Sequence, residues 1–145
     1  CSGSISEQNY QSAIKDFIKL SKQMNVNFYF NSFSHIMSQT TKLCVKDKSV
    51  KEIYKTFQRI PKVSGGTNFE QIWCYINQSK RRQKEMSIVV TDMEYCAPNH
   101  YVKHPRFCYY APIDGAAWDD MCRAAAYFVQ SMQNICPDIR KHIMM

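Results

Sequence analysis

The stretch MSIVVTD, residues 86–92, decides the fold. It is a short, unbroken apolar run rich in β-branched residues, closed by an aspartate. Such a run predicts a strand over Met86 to Thr91 that is buried on both faces, the habit of parallel sheets. Working outward, Phe107 to Ala111 reads as a further strand. Phe69, Ile72, Trp73 and Ile76 recur at helical spacing before the run. Val50, Ile53, Tyr54, Phe57 and Ile60 mark an earlier helix closed by Pro61. Ser6 to Met24 is an amphipathic helix, with Tyr10, Ala13, Ile14, Phe17 and Ile18 on one face. Val26 to Phe30 and a second strand around His35 to Leu43 lie so close together that they predict an antiparallel hairpin. Trp118 to Met132 forms the last helix, which Pro137 stops, and the tail from Asp138 has no clear pattern.

Helices alternating with strands define an α/β class with a central, mostly parallel sheet. Right-handed crossovers put helices on both of its faces, a Rossmann-like three-layer sandwich with one antiparallel hairpin strand. The 145 residues suit one domain, with no repeat, low-complexity tract or internal boundary. Hydrophobic residues at 45% and charged residues at 21% are ordinary for a globular chain. No apolar run is long enough to span a bilayer, and no secretory leader pattern appears. Seven cysteines, an odd number without paired spacing, argue against a secreted disulfide framework. The expected setting is intracellular or inside a virus particle. A formal charge of +7 raises the prospect of an anionic partner.

Ligands of open α/β sheets gather beyond the carboxyl ends of the strands. Asp92 stands at one such end. Thr67, in SGGT (64–67), precedes a helix, and so do Ser2 and Ser4 of CSGSIS (1–6). Hydroxyls with a carboxylate are hard ligands, suited to Mg²⁺ or a similar divalent ion. Gly65 and Gly66 would let the second loop's backbone approach closely. Ser4-x-x-Glu7 and Thr67-x-x-Glu70 equally fit capping boxes, so the conjunction matters more than any one hydroxyl.

In that order, SGS, GGT and TD resemble the von Willebrand factor A (VWA) domain. Its metal-ion-dependent adhesion site reads Asp-x-Ser-x-Ser, then Thr, then Asp. Cys1 to Ser4 matches the last four positions of the first motif, Thr67 the second and Asp92 the third. FYFNSFSHIM (28–37) also resembles the family's second strand and the start of its hairpin. The likeness runs to about Ala111. It implies a metal site of Ser2, Ser4, Thr67 and Asp92 holding Mg²⁺, or Mn²⁺ or Ca²⁺, with one position open to a partner's carboxylate. It implies a non-enzymatic interaction module in a larger assembly; some intracellular relatives work with AAA+ ATPases. The family's leading Asp and first, central strand would stand before Cys1. The chain opens without Met, so the expectation is a domain spanning 1–145 whose sheet an upstream segment completes. Without that Asp the metal would be weakly held or absent.

Two further groups stand apart. Lys80, Arg81, Arg82 and Lys84 form the densest basic run, a candidate nucleic-acid surface or a solvated helix end. Cys96, His100, His104 and Cys108 recur every four residues and could bind zinc, although Pro98 and Pro105 forbid one regular helix across them. No nucleophile–base pair suggests a catalytic residue. His35 and His142 show no evident partner.

Overall fold

The computed structural model describes residues 7–34, 36–61, 68–93, 102–113 and 121–144. Their architecture is mixed α/β: helices around two small sheets, one antiparallel and one parallel. The first helix, α1 (Glu7–Met24), buries Ile14 and Ile18, one turn apart. It ends in a Schellman turn: Asn25 takes φ 53°, while Val26 N–H reaches Ser21 O and Asn25 N–H reaches Lys22 O. The chain then reverses into β1 (Phe28–Phe30), which pairs with β2 (Thr41–Leu43).

The second strand of this hairpin is shorter than the sequence suggests. Asn31 Nδ2 donates to Ser38 O at 3.1 Å and to Thr40 Oγ1 at 2.9 Å, and Ser32 N–H donates to Ser38 Oγ at 2.8 Å. Short polar side chains here satisfy the backbone in place of a ladder. The connection survives as a compact loop with one isolated bridge, Phe33 to Met37.

Helix α2 (Val50–Gln58) begins with a complete capping box, Ser49 and Glu52 each bonding the other's backbone N–H. Its Ile53 and Phe57 join Ile14, Ile18, Leu43, Val45 and Ile60 in one apolar cluster. Helix α3 (Phe69–Asn77) starts on Asn68, whose side chain accepts from Glu70 N–H at 3.0 Å. Asn68, not Thr67, is therefore the cap. A five-residue helix, α4 (Lys80–Lys84), leads into β3 (Ser87–Thr91).

Strand β3 pairs in parallel with β4 (Cys108–Pro112), Val89 opposite Tyr110. Val89 and Thr91 are buried, but Ile88 and Val90 are only half-buried. One face is thus fully covered rather than two. Helix α5 (Met121–Met132) packs Phe128, Val129 and Met132 against α3 and the parallel strands, with Trp73, Phe69 and Tyr110 at the centre. The tail forms a 3₁₀ turn (Ile139–His142) and lies along β4 through a Tyr110–Ile143 bridge. No described helix is long and apolar enough to cross a membrane.

Candidate metal centres

The direction of α3 shows at which edge of the parallel pair its N-terminus and Asp92 meet. At its C-terminal end Asn77 Nδ2 donates to Lys103 O at 2.8 Å, just ahead of β4. At its N-terminal end the Phe69 ring lies 5.8 Å from Tyr110, deep in β4. The helix is therefore antiparallel to the strands, and the chain entering it stands at their carboxyl edge. Asp92, 1% exposed, follows β3 at that same edge. Met93, also buried, then takes φ 67° with its N–H bonded to Thr91 Oγ1 at 3.1 Å, which turns the chain sharply. The β1–β2 connection reaches this edge too, since Asn68 N–H donates to Ser34 O at 3.1 Å. Asp92 is the member of the predicted set that falls among the described residues. Ser2, Ser4 and Thr67 lie outside them.

A second constellation forms at the opposite, amino-terminal side of β4. One ring nitrogen of His104, one of His142 and Cys136 Sγ all lie within 4.8 Å of one another. Three segments deliver them: the loop before β4, the turn after α5, and the 3₁₀ turn. All three residues are buried, at 8%, 9% and 6% exposure. His142 Nδ1 sits 2.8 Å from Cys108 O. A carbonyl only accepts, so Nδ1 carries the proton and the neutral ring has its lone pair on Nε2. Tyr109 stacks on this ring, and His104 meets it edge-on at 4.9 Å between centroids.

His104 Nε2 lies 2.8 Å from the Tyr110 hydroxyl, which also accepts from Trp73 Nε1–H at 2.8 Å. Burial first, and then the neighbouring His142, lowers the His104 pKa to about 4, against smaller opposing pulls from Asp138 and a hydrogen bond with the Pro105 backbone. The imidazole is therefore neutral near pH 7, as ligation requires. Cys136 Sγ–H points to Asp138 Oδ1 at 3.3 Å. Its thiol is pushed up to about 11, first by burial and then by Asp138. Cys108 is pushed up to about 12, mainly by burial. Cys44, Cys74, Cys108 and Cys136 are all free thiols.

Of the zinc quartet read from the sequence, Cys96 and His100 lie outside the described residues. His104 and Cys108 are both buried, and the close cluster joins His104 to Cys136 and His142. Sequence reasoning missed those last two. The available signal was Cys136-x5-His142, a short spacing around Pro137 that permits a chelating turn.

The basic run divides. Arg82 lies over the Tyr75 ring at 3.8 Å and donates to Tyr75 O at 2.9 Å, so it is folded inward. Arg81 pairs with Glu85 at 3.4 Å. Lys80 and Lys84 are exposed.

The chain is thus an α/β protein with a buried carboxylate at the carboxyl edge of its parallel strands and a histidine–cysteine cluster at the other end. No family model matches it, and neither do curated proteins or solved structures.

Proposed function

We propose that the chain is a non-enzymatic interaction module of the VWA type, binding its partner through a hard divalent cation. Asp92 carries the reading: a buried carboxylate immediately beyond a parallel strand, on the edge where the chain enters α3. Two more observations support it. With Asn68 capping α3, the Thr67 hydroxyl is not needed for that task. Among the described residues β1 pairs only with β2, and β3 only with β4. On this reading a further strand between β1 and β3 would join both pairs into the sheet of a three-layer, Rossmann-like sandwich.

On this reading Ser2, Ser4, Thr67 and Asp92 hold Mg²⁺, with Mn²⁺ or Ca²⁺ as substitutes, and a partner's carboxylate fills the open position. Metal and partner then bind cooperatively, each completing the other's ligand shell. Titrating the protein with Mn²⁺ beside Thr67→Ala and Asp92→Ala tests the proposal. Both variants should lose binding; isotherms identical to the unaltered protein's defeat it. The competing nucleic-acid reading draws on the net charge of +7 and on Lys80 and Lys84, since Arg81 and Arg82 have protein partners. Partner capture that resists chelator yet falls steeply with salt would favour it.

A further inference from the structure

We propose that His104, Cys136 and His142 form a second, chemically distinct metal site, selective for zinc-class ions, that staples the C-terminal tail onto β4. One thiolate with two imidazoles is a borderline-soft donor set that Mg²⁺ and Ca²⁺ disfavour and Zn²⁺ prefers.

The geometry is close to what ligation needs. Tetrahedral bond lengths place zinc-bound N and S atoms about 3.3–3.8 Å apart. The three atoms here lie within 4.8 Å of one another, so side-chain adjustments of about 1 Å close the site. The surroundings are also those of a ligand set. Metal-bound histidines hold their second ring nitrogen through a carbonyl or similar acceptor. His142 Nδ1–H already does so with Cys108 O, which leaves Nε2 for the ion. One His104 nitrogen would go to the metal and the other would keep a present partner, the Tyr110 hydroxyl being one. The exposed Asp138 carboxylate beside the thiol can orient a water in the fourth position, and the proton displaced from the thiol leaves to solvent. Binding balances as Cys–SH plus M²⁺ giving Cys–S–M⁺ plus H⁺, with no change of oxidation state.

The consequence is mechanical. His104 stands just ahead of β4, Cys136 after α5 and His142 in the 3₁₀ turn, so the ion cross-links all three. Beyond His142, Ile143 bridges Tyr110 and Met144 N–H donates to Tyr110 O at 2.8 Å. The tail therefore covers part of the outer edge of β4, and metal occupancy would govern how firmly that edge is shielded.

Cobalt(II) and zinc alone, under a thiol-free reductant, test this. Cobalt should bind at one equivalent with a thiolate charge-transfer band and the strong visible bands of tetrahedral geometry, and one equivalent of zinc should bleach them. Millimolar Mg²⁺ should not, which separates this site from any ion at Asp92. Cys136→Ser should abolish the charge-transfer band, and His142→Ala should weaken binding at least about 100-fold. Cys74→Ser and the double variant Cys96→Ser/His100→Ala should bind as the unaltered protein does. A tail readout guards against variants that misfold: zinc should slow tryptic cleavage after Arg140 and Lys141 at least about tenfold in unaltered protein. Absence of the band, its persistence in Cys136→Ser, or its loss in the Cys96/His100 variant would each overturn the assignment. So would zinc that leaves the cleavage rate unchanged.

Discussion

The core formed by α1, β2 and α2 buries aliphatic and aromatic side chains, whereas the region around α3, β3, β4, α5 and the 3₁₀ turn also buries His104, His142, Cys108, Cys136, Tyr110 and Asp92. The difference is one of specification. An apolar cluster asks only for volume and pattern, and tolerates repacking. A buried polar network demands particular angles and protonation states, and each unmet partner is costly. The first region behaves as scaffold and the second holds the chemistry. Among the described residues the seam between them is thin: Phe33 and Met37 against the second core, Asn68 to Ser34, the Thr40 and Tyr75 hydroxyls, and Arg81 over the Tyr29 ring.

The largest effect should come from the centre of the second region. Phe128, 0% exposed, touches both Phe69 and Tyr110 edge-on. Phe128→Ala should cost about 3–5 kcal/mol in urea unfolding followed by circular dichroism. Ile53→Ala in the scaffold region should cost about 2–4 kcal/mol. The two differ in kind as well as size. With so narrow a seam, Ile53→Ala should speed amide exchange in α1 and α2 while α3 and β3 stay protected. Uniform loss of protection throughout the chain would show that the regions share a single cooperative core, and the contrast drawn above would fail.

The network itself is probed by Tyr110→Phe. Its hydroxyl accepts from Trp73 Nε1–H and meets His104, so removal strands a buried indole donor. The expected cost is about 1–3 kcal/mol. A cost near zero would mean that the polar partners are incidental, and would erode the distinction between the regions.

How much of this was legible in the sequence follows the same division. Apolar periodicity located α1, α2, α3 and α5 and both parallel strands, because a repeat of 3.6 or an unbroken β-branched run is a local signal, whereas the basic α4 buries no residue and carries no such repeat. Asp92 was legible for the same reason, as the residue that closes such a run. The hairpin was overextended because Asn31, Ser32 and Ser38 replace ladder bonds with side-chain bonds, which depend on rotamers rather than pattern. Thr67, a candidate metal ligand, also fits the spacing of a capping box, yet the cap is Asn68, one residue on, which accepts from Glu70. The His104–Cys136–His142 cluster was not visible, because its members are joined only when the tail returns to β4. Regular spacing drew attention instead to Cys96, His100, His104 and Cys108, where Pro98 and Pro105 forbid the one regular helix that a period of four would need.

Smaller effects sharpen the scaffold side. Ser49→Ala removes one arm of the capping box at the start of α2 and should cost about 1 kcal/mol. Glu52→Gln should cost less, since an amide oxygen can still accept from Ser49 N–H. If both changes are silent, helix α2 is held by its Ile53 and Phe57 packing alone.

The smallest expected effect bears on the seam. Arg81 pairs with Glu85 across one turn of α4 and also places its guanidinium 5.8 Å from the Tyr29 ring of β1. It is thus a side chain of one region reaching the other. Both partners of the ion pair are largely exposed, at 64% and 45%, so solvent and salt screen it. At this distance and exposure the ring contact adds little. Arg81→Ala should therefore change stability by about 0.3 kcal/mol, and that small loss should shrink further at high salt. A double-mutant cycle with Tyr29→Ala isolates the contribution across the seam. A coupling near zero fits two regions meeting through Phe33, Ser34 and Tyr75. A coupling above about 1 kcal/mol would make α4 a clasp, and the basic helix would then hold the two cores together rather than offer its arginines to an anionic partner.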